Sequence, residues 1–189
     1  MIEFITNLDR AIIFFVQEFM HVPILDKVMI AITTLGNKGF IWIVMALFLA
    51  ARKRTRLVGI AALATLLLTT IMGEGILKHL VCRPRPYRDY PEIQPLVEKL
   101  TSYSFPSGHT GSSFTASWVF GRYLKKQAAY FWILAAAMGF SRLYLFMHYP
   151  SDILAGAVLG ILCAMIIVLV LEKIVGSQWI YTPEQETEA

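Results

Sequence analysis

Residues 141–171 read SRLYLFMHYPSDILAGAVLGILCAMIIVLVL. From Ile153 to Leu171 there is no charge, and an uncharged apolar run of this length is what a helix needs to cross a bilayer, about 20 residues. The run begins directly after His148, Pro150 and Asp152. The same stretch therefore carries an apolar span and, at its entrance, groups that lipid does not tolerate without a reason.

Working outward, the whole chain has the balance of a membrane protein. Of its 189 residues 57% are hydrophobic and 16% charged, against about 45–50% and 25% in soluble domains. Its mean hydropathy is +0.59. Further apolar runs lie at 39–51, 57–77, 109–123 and 128–147. Together with 153–171 they predict an all-α, multi-pass transmembrane helix bundle of five clear spans, with a sixth left open. The first 36 residues have apolar positions at helical spacing (Ile5, Leu8, Ile12, Phe15, Phe19) interrupted by charges and by Pro23, which predicts amphipathic N-terminal helices. The expected division is a membrane-embedded domain over 1–175 and a polar acidic tail over 176–189 that includes Trp179 and Tyr181.

The net charge of +4 is clustered between apolar runs, which is a topology signal and not a nucleic-acid footprint. Arg52, Lys53, Arg54 and Arg56 form one connection, and Arg122, Lys125 and Lys126 another. With five alternating spans both fall on one side, which the positive-inside rule makes cytoplasmic. The C-terminus is then cytoplasmic and the 78–104 loop faces the extracytoplasmic side of the cell membrane. Cys82 and Cys163 form no zinc-like spacing or expected disulfide, and the N-terminus lacks the pattern of a cleaved signal peptide.

In that topology four polar clusters meet at the outer ends of the spans: Lys78 with Arg83 and Arg85; Ser107, Gly108 and His109; Ser141 and Arg142; His148 and Asp152. Lys78, Arg85 and Arg142 offer cationic donors of the kind that match phosphate oxygens. Two helices beginning near Ser107 and Pro150 add N-terminal backbone N–H groups, and Gly108 allows close backbone approach. His148, with Asp152 four residues on to hold one imidazole nitrogen, suits a nucleophile whose other nitrogen attacks phosphorus. His109 suits a general acid for the leaving alkoxide. No carboxylate cluster fit for Mg²⁺ is evident, so neither metal nor cofactor is expected. Glu74, one turn before Lys78, reads as an ion-pair partner of that lysine, while Arg83 is left between phosphate and headgroup contact.

These residues resemble the type 2 phosphatidic acid phosphatases, a family that also includes glucose-6-phosphatase and the vanadium-dependent haloperoxidases. Lys78-HLVCRP-Arg85-Pro86 is similar to its first motif, Pro106-Ser107-Gly108-His109 to its second, and Ser141-Arg142-LYLFM-His148-YPS-Asp152 to its third. The resemblance implies that Lys78, Arg85, Ser107, Gly108 and Arg142 bind phosphate. It also implies that His148 is transiently phosphorylated, Asp152 orients it, and His109 protonates the leaving group. Membrane members commonly have six spans, and here the first is replaced by the amphipathic region. The expected partners are a lipid phosphate substrate and the bilayer, with the oligomeric state open. Phosphatidylglycerophosphate, phosphatidic acid, undecaprenyl diphosphate and lipid A phosphate are the substrate classes considered. A phosphotransferase, a vanadate-dependent haloperoxidase and a non-enzymatic lipid transporter are the competing readings.

Overall fold

The computed structural model describes residues 2–176, and the tail expected from 177 onward, with Trp179 and Tyr181, lies outside them. The described residues form helices and no strand. α1 (Ile2–Phe19) and α2 (Pro23–Leu35) are joined at Met20–Val22, and a 3-10 turn at Asn37–Gly39 leads into α3 (Phe40–Ala51). α4 (Arg56–Thr70) continues through a π-helical segment, Ile71–Leu77, into α5 (Lys78–Val81). After α6 (Pro86–Asp89) and a long connection come α7 (Gly108–Tyr123), α8 (Ala128–Tyr144) and α9 (Pro150–Val175).

Local chemistry sets these boundaries. Pro23 and Pro150 open α2 and α9, where a missing N–H costs nothing. The chain leaves α5 at Cys82, which takes the left-handed conformation (φ 50°), and Pro84 and Pro86 bar further helix until α6. Ser107 caps α7, its hydroxyl accepting from the Thr110 N–H at 3.4 Å.

α7 is the central helix, packed against α4, α8 and α9. It is rich in Ser, Thr and Gly and buried on nearly every side, from Thr110 to Phe120. Its hydroxyls bond within the bundle: Thr115 Oγ1 donates to the Gly160 carbonyl at 2.9 Å, Ser117 Oγ to the Phe131 carbonyl at 2.8 Å, and Trp42 Nε1 to Ser113 Oγ at 2.9 Å. α9 can lie this close because Gly156 and Gly160, four apart, face α7. A β-carbon on either would strike the Ser107 or Gly111 carbonyl, the small-residue seam of membrane helix pairs. On the other side of α9, Leu154, Val158, Leu162, Ile166 and Leu169 are exposed at helical spacing, a lipid-facing stripe.

Among the described residues, two helical stretches are long and apolar enough to cross a membrane, Arg56–Asp89 and Pro150–Val175. The pair Pro23–Leu35 and Asn37–Ala51, bent by 46°, makes a third if taken as one span. That is fewer than the five read from sequence. α3, α7 and α8 have 12, 16 and 17 residues, shorter than the roughly 20 that a straight crossing takes. α7 is also too polar to qualify alone, its hydroxyls being sheltered by neighbours. α1 and α2 pack through Ile13, Val16 and Met29 onto Leu143–Met147, at the end of the bundle where the polar clusters lie.

Candidate active site

The end of α5, the start of α7, the last turn of α8 and the start of α9 all meet at this one end, and the connection over 145–149 runs among them. Lys78, Arg85, Ser107, Arg142, His148 and Asp152 are all buried there. Arg85 is fixed by its surroundings: Nε donates to the Ser102 carbonyl (2.8 Å), Nη1 to the Met147 carbonyl (3.0 Å), and Nη2 to Ser102 Oγ and the Tyr103 carbonyl (both 3.1 Å). Nη1 also lies 3.0 Å from His148 Nε2. A guanidinium only donates, so Nε2 accepts and carries the lone pair, and the imidazole proton sits on Nδ1.

Arg142 is bound at one corner only. Its Nη1 donates to Thr33 Oγ1 at 2.5 Å, while Nε and Nη2 are buried with no hydrogen-bond partner. Leaving such donors unmade is costly, and an anion between Arg142 and His148 would satisfy them. Lys78 has one partner, Glu74, with 2.7 and 2.8 Å to the two carboxylate oxygens. Lys78, Arg85 and Arg142 are three buried cations, and the excess of positive charge they create suits an anion.

The first turn of α7 completes the cage. Ser107 uses its N–H on the Asp152 carbonyl (3.0 Å), and its Oγ accepts from Thr110 twice, so the hydroxyl proton remains free to donate. The N–H groups of Gly108 and His109 have no carbonyl behind them in the helix and carry its positive end.

Behind His148 is a relay. Asp152 Oδ2 is 3.7 Å from His148 Nδ1, and the Ser104 hydroxyl lies between them, 2.6 Å from the carboxylate and 3.3 Å from the imidazole. Asp152 Oδ2 also accepts the Tyr149 N–H (2.9 Å), capping α9, and Oδ1 accepts Arg83 Nη1 (2.7 Å). Arg83 therefore commits both of its Nη groups to carboxylates. It stacks over Tyr149, 4.1 Å from the ring centre, and ties Asp152 to Asp9 of α1 (2.7 Å). Asp9 is buried and also accepts the Ser151 N–H and hydroxyl. Burial above all, and then Arg85, Arg142 and Lys78, holds the His148 pKa well below its ordinary value, against a small opposing pull from the Ser104 backbone. His148 is thus held neutral, the form with a free lone pair.

His109 lies at the rim. Its Nε2 is 3.1 Å from Asn37 Oδ1, an acceptor, so that ring nitrogen is the one that carries a proton. A surface cavity of about 340 Å³, lined by Glu74, Lys78, His79, Arg88, Thr101, Ser102 and Tyr103, adjoins the cage at Lys78.

Ser104, Asp9, Thr33 and Asn37 were not legible in the sequence. Each acts on a partner far away in the chain, and only the polar Asp9 within an apolar helical pattern leaves a local trace. No group of three or more His, Cys, Asp or Glu able to hold a metal exists among the described residues.

A family model described as the PAP2 superfamily matches residues 57–175. The undecaprenyl-diphosphatase of Sulfolobus acidocaldarius is 29% identical over 146 residues, covering 75% of this chain and 68% of that protein. The lipid A 4'-phosphatase of Bacteroides thetaiotaomicron is 31% identical over 174 residues, covering 85% and 75%. Among solved structures, the transmembrane PAP2-type phosphatidylglycerolphosphate phosphatase of Bacillus subtilis superposes with a TM-score of 0.71 at 27% identity, over 89% of this chain and 87% of that one.

Proposed function

The chain belongs to the PAP2 superfamily and is an integral membrane lipid phosphatase, and we propose that it cleaves its substrate through a phosphohistidine at His148. The observation that carries this reading is the pair of buried, unpartnered Arg142 donors in the same site as a neutral His148 whose Nε2 lone pair points at Arg85.

In the proposed reaction a phosphoryl group enters the cage and takes over Arg85, Arg142, Lys78, the Ser107 hydroxyl and the α7 N–H groups. These stabilise the equatorial oxygens of an in-line transition state. Nε2 forms a bond to phosphorus as the ester P–O bond breaks, and His109 gives its proton to the departing oxygen. Nδ1–H, held by Ser104 and through it by Asp152, stabilises the positive ring. His109 then takes a proton from water as the water oxygen attacks phosphorus, the P–Nε2 bond breaks with its electron pair returning to His148, and phosphate leaves. No metal takes part in this scheme.

The substrate class is a glycerophospholipid phosphate or a polyprenyl phosphate or diphosphate. Support comes from the relatives, whose names carry undecaprenyl diphosphate, phosphatidylglycerophosphate and lipid A. A lipid fits because the cavity opens at one end of an apolar bundle, where a headgroup can enter while its tails remain in the bilayer. We further propose that α3, the α4–α5 rod, α7, α8 and α9 are five crossings, with α1 and α2 in the interface. The site then faces outward and the C-terminus is cytoplasmic, an orientation supported by the basic loops at 52–56 and 122–126.

Two measurements test these assignments. Purified protein in detergent with EDTA, given a panel of lipid mono- and diphosphates, is expected to release phosphate from one class at least tenfold faster. Absence of turnover unless Mg²⁺ is added contradicts the scheme. A cysteine placed at Glu92, in a Cys82-free background, is expected to react with an impermeant reagent in intact cells. Labelling only after lysis reverses the orientation.

A further inference from the structure

Glu74 is the acidic group bonded directly to a cage cation, Lys78, and its position is specific. Both carboxylate oxygens lie within 2.8 Å of Lys78 Nζ. Oε1 is also pressed against Gly108, so close that a β-carbon there would collide with it. The carboxylate therefore occupies the ground between the lysine and the first turn of α7, where an oxygen of a bound phosphoryl group belongs. It has room to move. Glu74 sits in the π-helical segment between Gly73 and Gly75, with open space beside Gly75. Its side chain is 44% exposed while that of Lys78 is 6% exposed, and it forms part of the wall of the 340 Å³ cavity. π-helical turns of this kind often mark functional positions.

We infer that Glu74 is an internal competitor for the phosphate site: it fills part of the anion cage when the enzyme is empty, swings into the cavity when substrate binds, and returns to displace product phosphate. This rests on the phosphate-site reading above and adds a residue to it. The competitor neutralises Lys78 in the resting enzyme, so that three buried cations do not stand uncompensated. It also keeps the product, a dianion surrounded by cationic donors, from being trapped. Its charge sets how tightly any phosphate is held.

The test is competitive inhibition by inorganic phosphate and by orthovanadate, measured on the full chain in detergent for the wild type, Glu74→Gln, Glu74→Ala and Arg142→Gln. Glu74→Gln keeps the shape and removes the charge, and it is expected to lower the phosphate Ki by about five- to tenfold. Its kcat falls as product release slows, and its KM falls with the Ki. Glu74→Ala is expected to move the Ki in the same direction. An unchanged or raised Ki in both variants, with melting temperatures within a few degrees of wild type, overturns the competitor role, because the glutamate then merely holds Lys78 in place. Failure of the underlying reading looks different: phosphate would not compete with substrate in any form, or Arg142→Gln would leave the Ki where it was.

Discussion

Asp152 holds His148 without touching it: its carboxylate is 3.7 Å from Nδ1, and the Ser104 hydroxyl joins the two at 2.6 and 3.3 Å. The same carboxylate caps α9 and binds Arg83, so it is fixed from three directions before it acts on the imidazole. A nucleophile held through one hydroxyl depends on that hydroxyl for its aim.

Ser104→Ala is therefore expected to lower kcat by about 10²-fold, the cost of a misplaced reacting group, with the phosphate Ki nearly unchanged because no cage residue is altered. Steady-state kinetics on a lipid phosphate, with phosphate as inhibitor, measures both. Equal loss in kcat and Ki would mean that Ser104 shapes the cage and not the imidazole.

His109→Ala separates the acid from the rest of the site. The loss is expected to be about 10²- to 10⁴-fold on an alkyl lipid phosphate, whose alkoxide needs a proton. On p-nitrophenyl phosphate, whose leaving group needs none, it should be under about tenfold on the same reasoning. Parallel loss on both substrates would place His109 among the phosphate binders.

Burial of neutral His148 has a consequence for stability. In the unfolded chain the imidazole takes up a proton near its ordinary pKa of about 6.5, while in the folded protein it resists protonation until well below that. Between the two the unfolded state binds more protons. This contribution is fully present above about pH 6.5 and is lost as pH falls below it, by at most about 1.4 kcal/mol per pH unit. Melting curves in detergent from pH 7 downward should show that decline, and His148→Asn should flatten it. An identical slope in the variant would remove His148 from the account of acid sensitivity.

Asp9 links the N-terminal helix to the reaction through Arg83 and Asp152. Asp9→Asn is expected to reduce kcat by about tenfold, a partial misalignment, while leaving the phosphate Ki within twofold. Asp9→Glu should recover part of the loss. Comparable loss in both variants and in the Ki would indicate general loosening of α1.

What could be read from the sequence is whatever expresses itself locally. Lys78, Arg85 and Arg142 stand out because a cation next to apolar runs is costly wherever it lies. The entrances of α7 and α9 are announced by Ser107 and by Pro150 with Asp152. α9 proved longer than its uncharged core, running to Val175, since Glu172 and Lys173 extend a helix without being apolar. Ser104 was hidden because a loop serine has no periodicity to violate. Thr33 and Asn37 were hidden because their partners, Arg142 and His109, lie 109 and 72 residues away. The Glu74–Lys78 pair followed from helical spacing, but its contact with Gly108 depends on how the π-helical segment meets α7. Arg83, undecided from sequence, pairs with two buried carboxylates, one of them in the helix expected to be peripheral.

The central claim is that His148 carries the phosphoryl group. The most direct measurement is rapid acid-free quenching of the enzyme with a radiolabelled lipid phosphate, followed by mapping of the protein-bound label. The account predicts a phosphoenzyme that is stable to alkali and labile to acid, formed within one turnover, located at His148 and absent in His148→Ala. Label that persists in that variant, or phosphate release by it at the wild-type rate, would contradict the account.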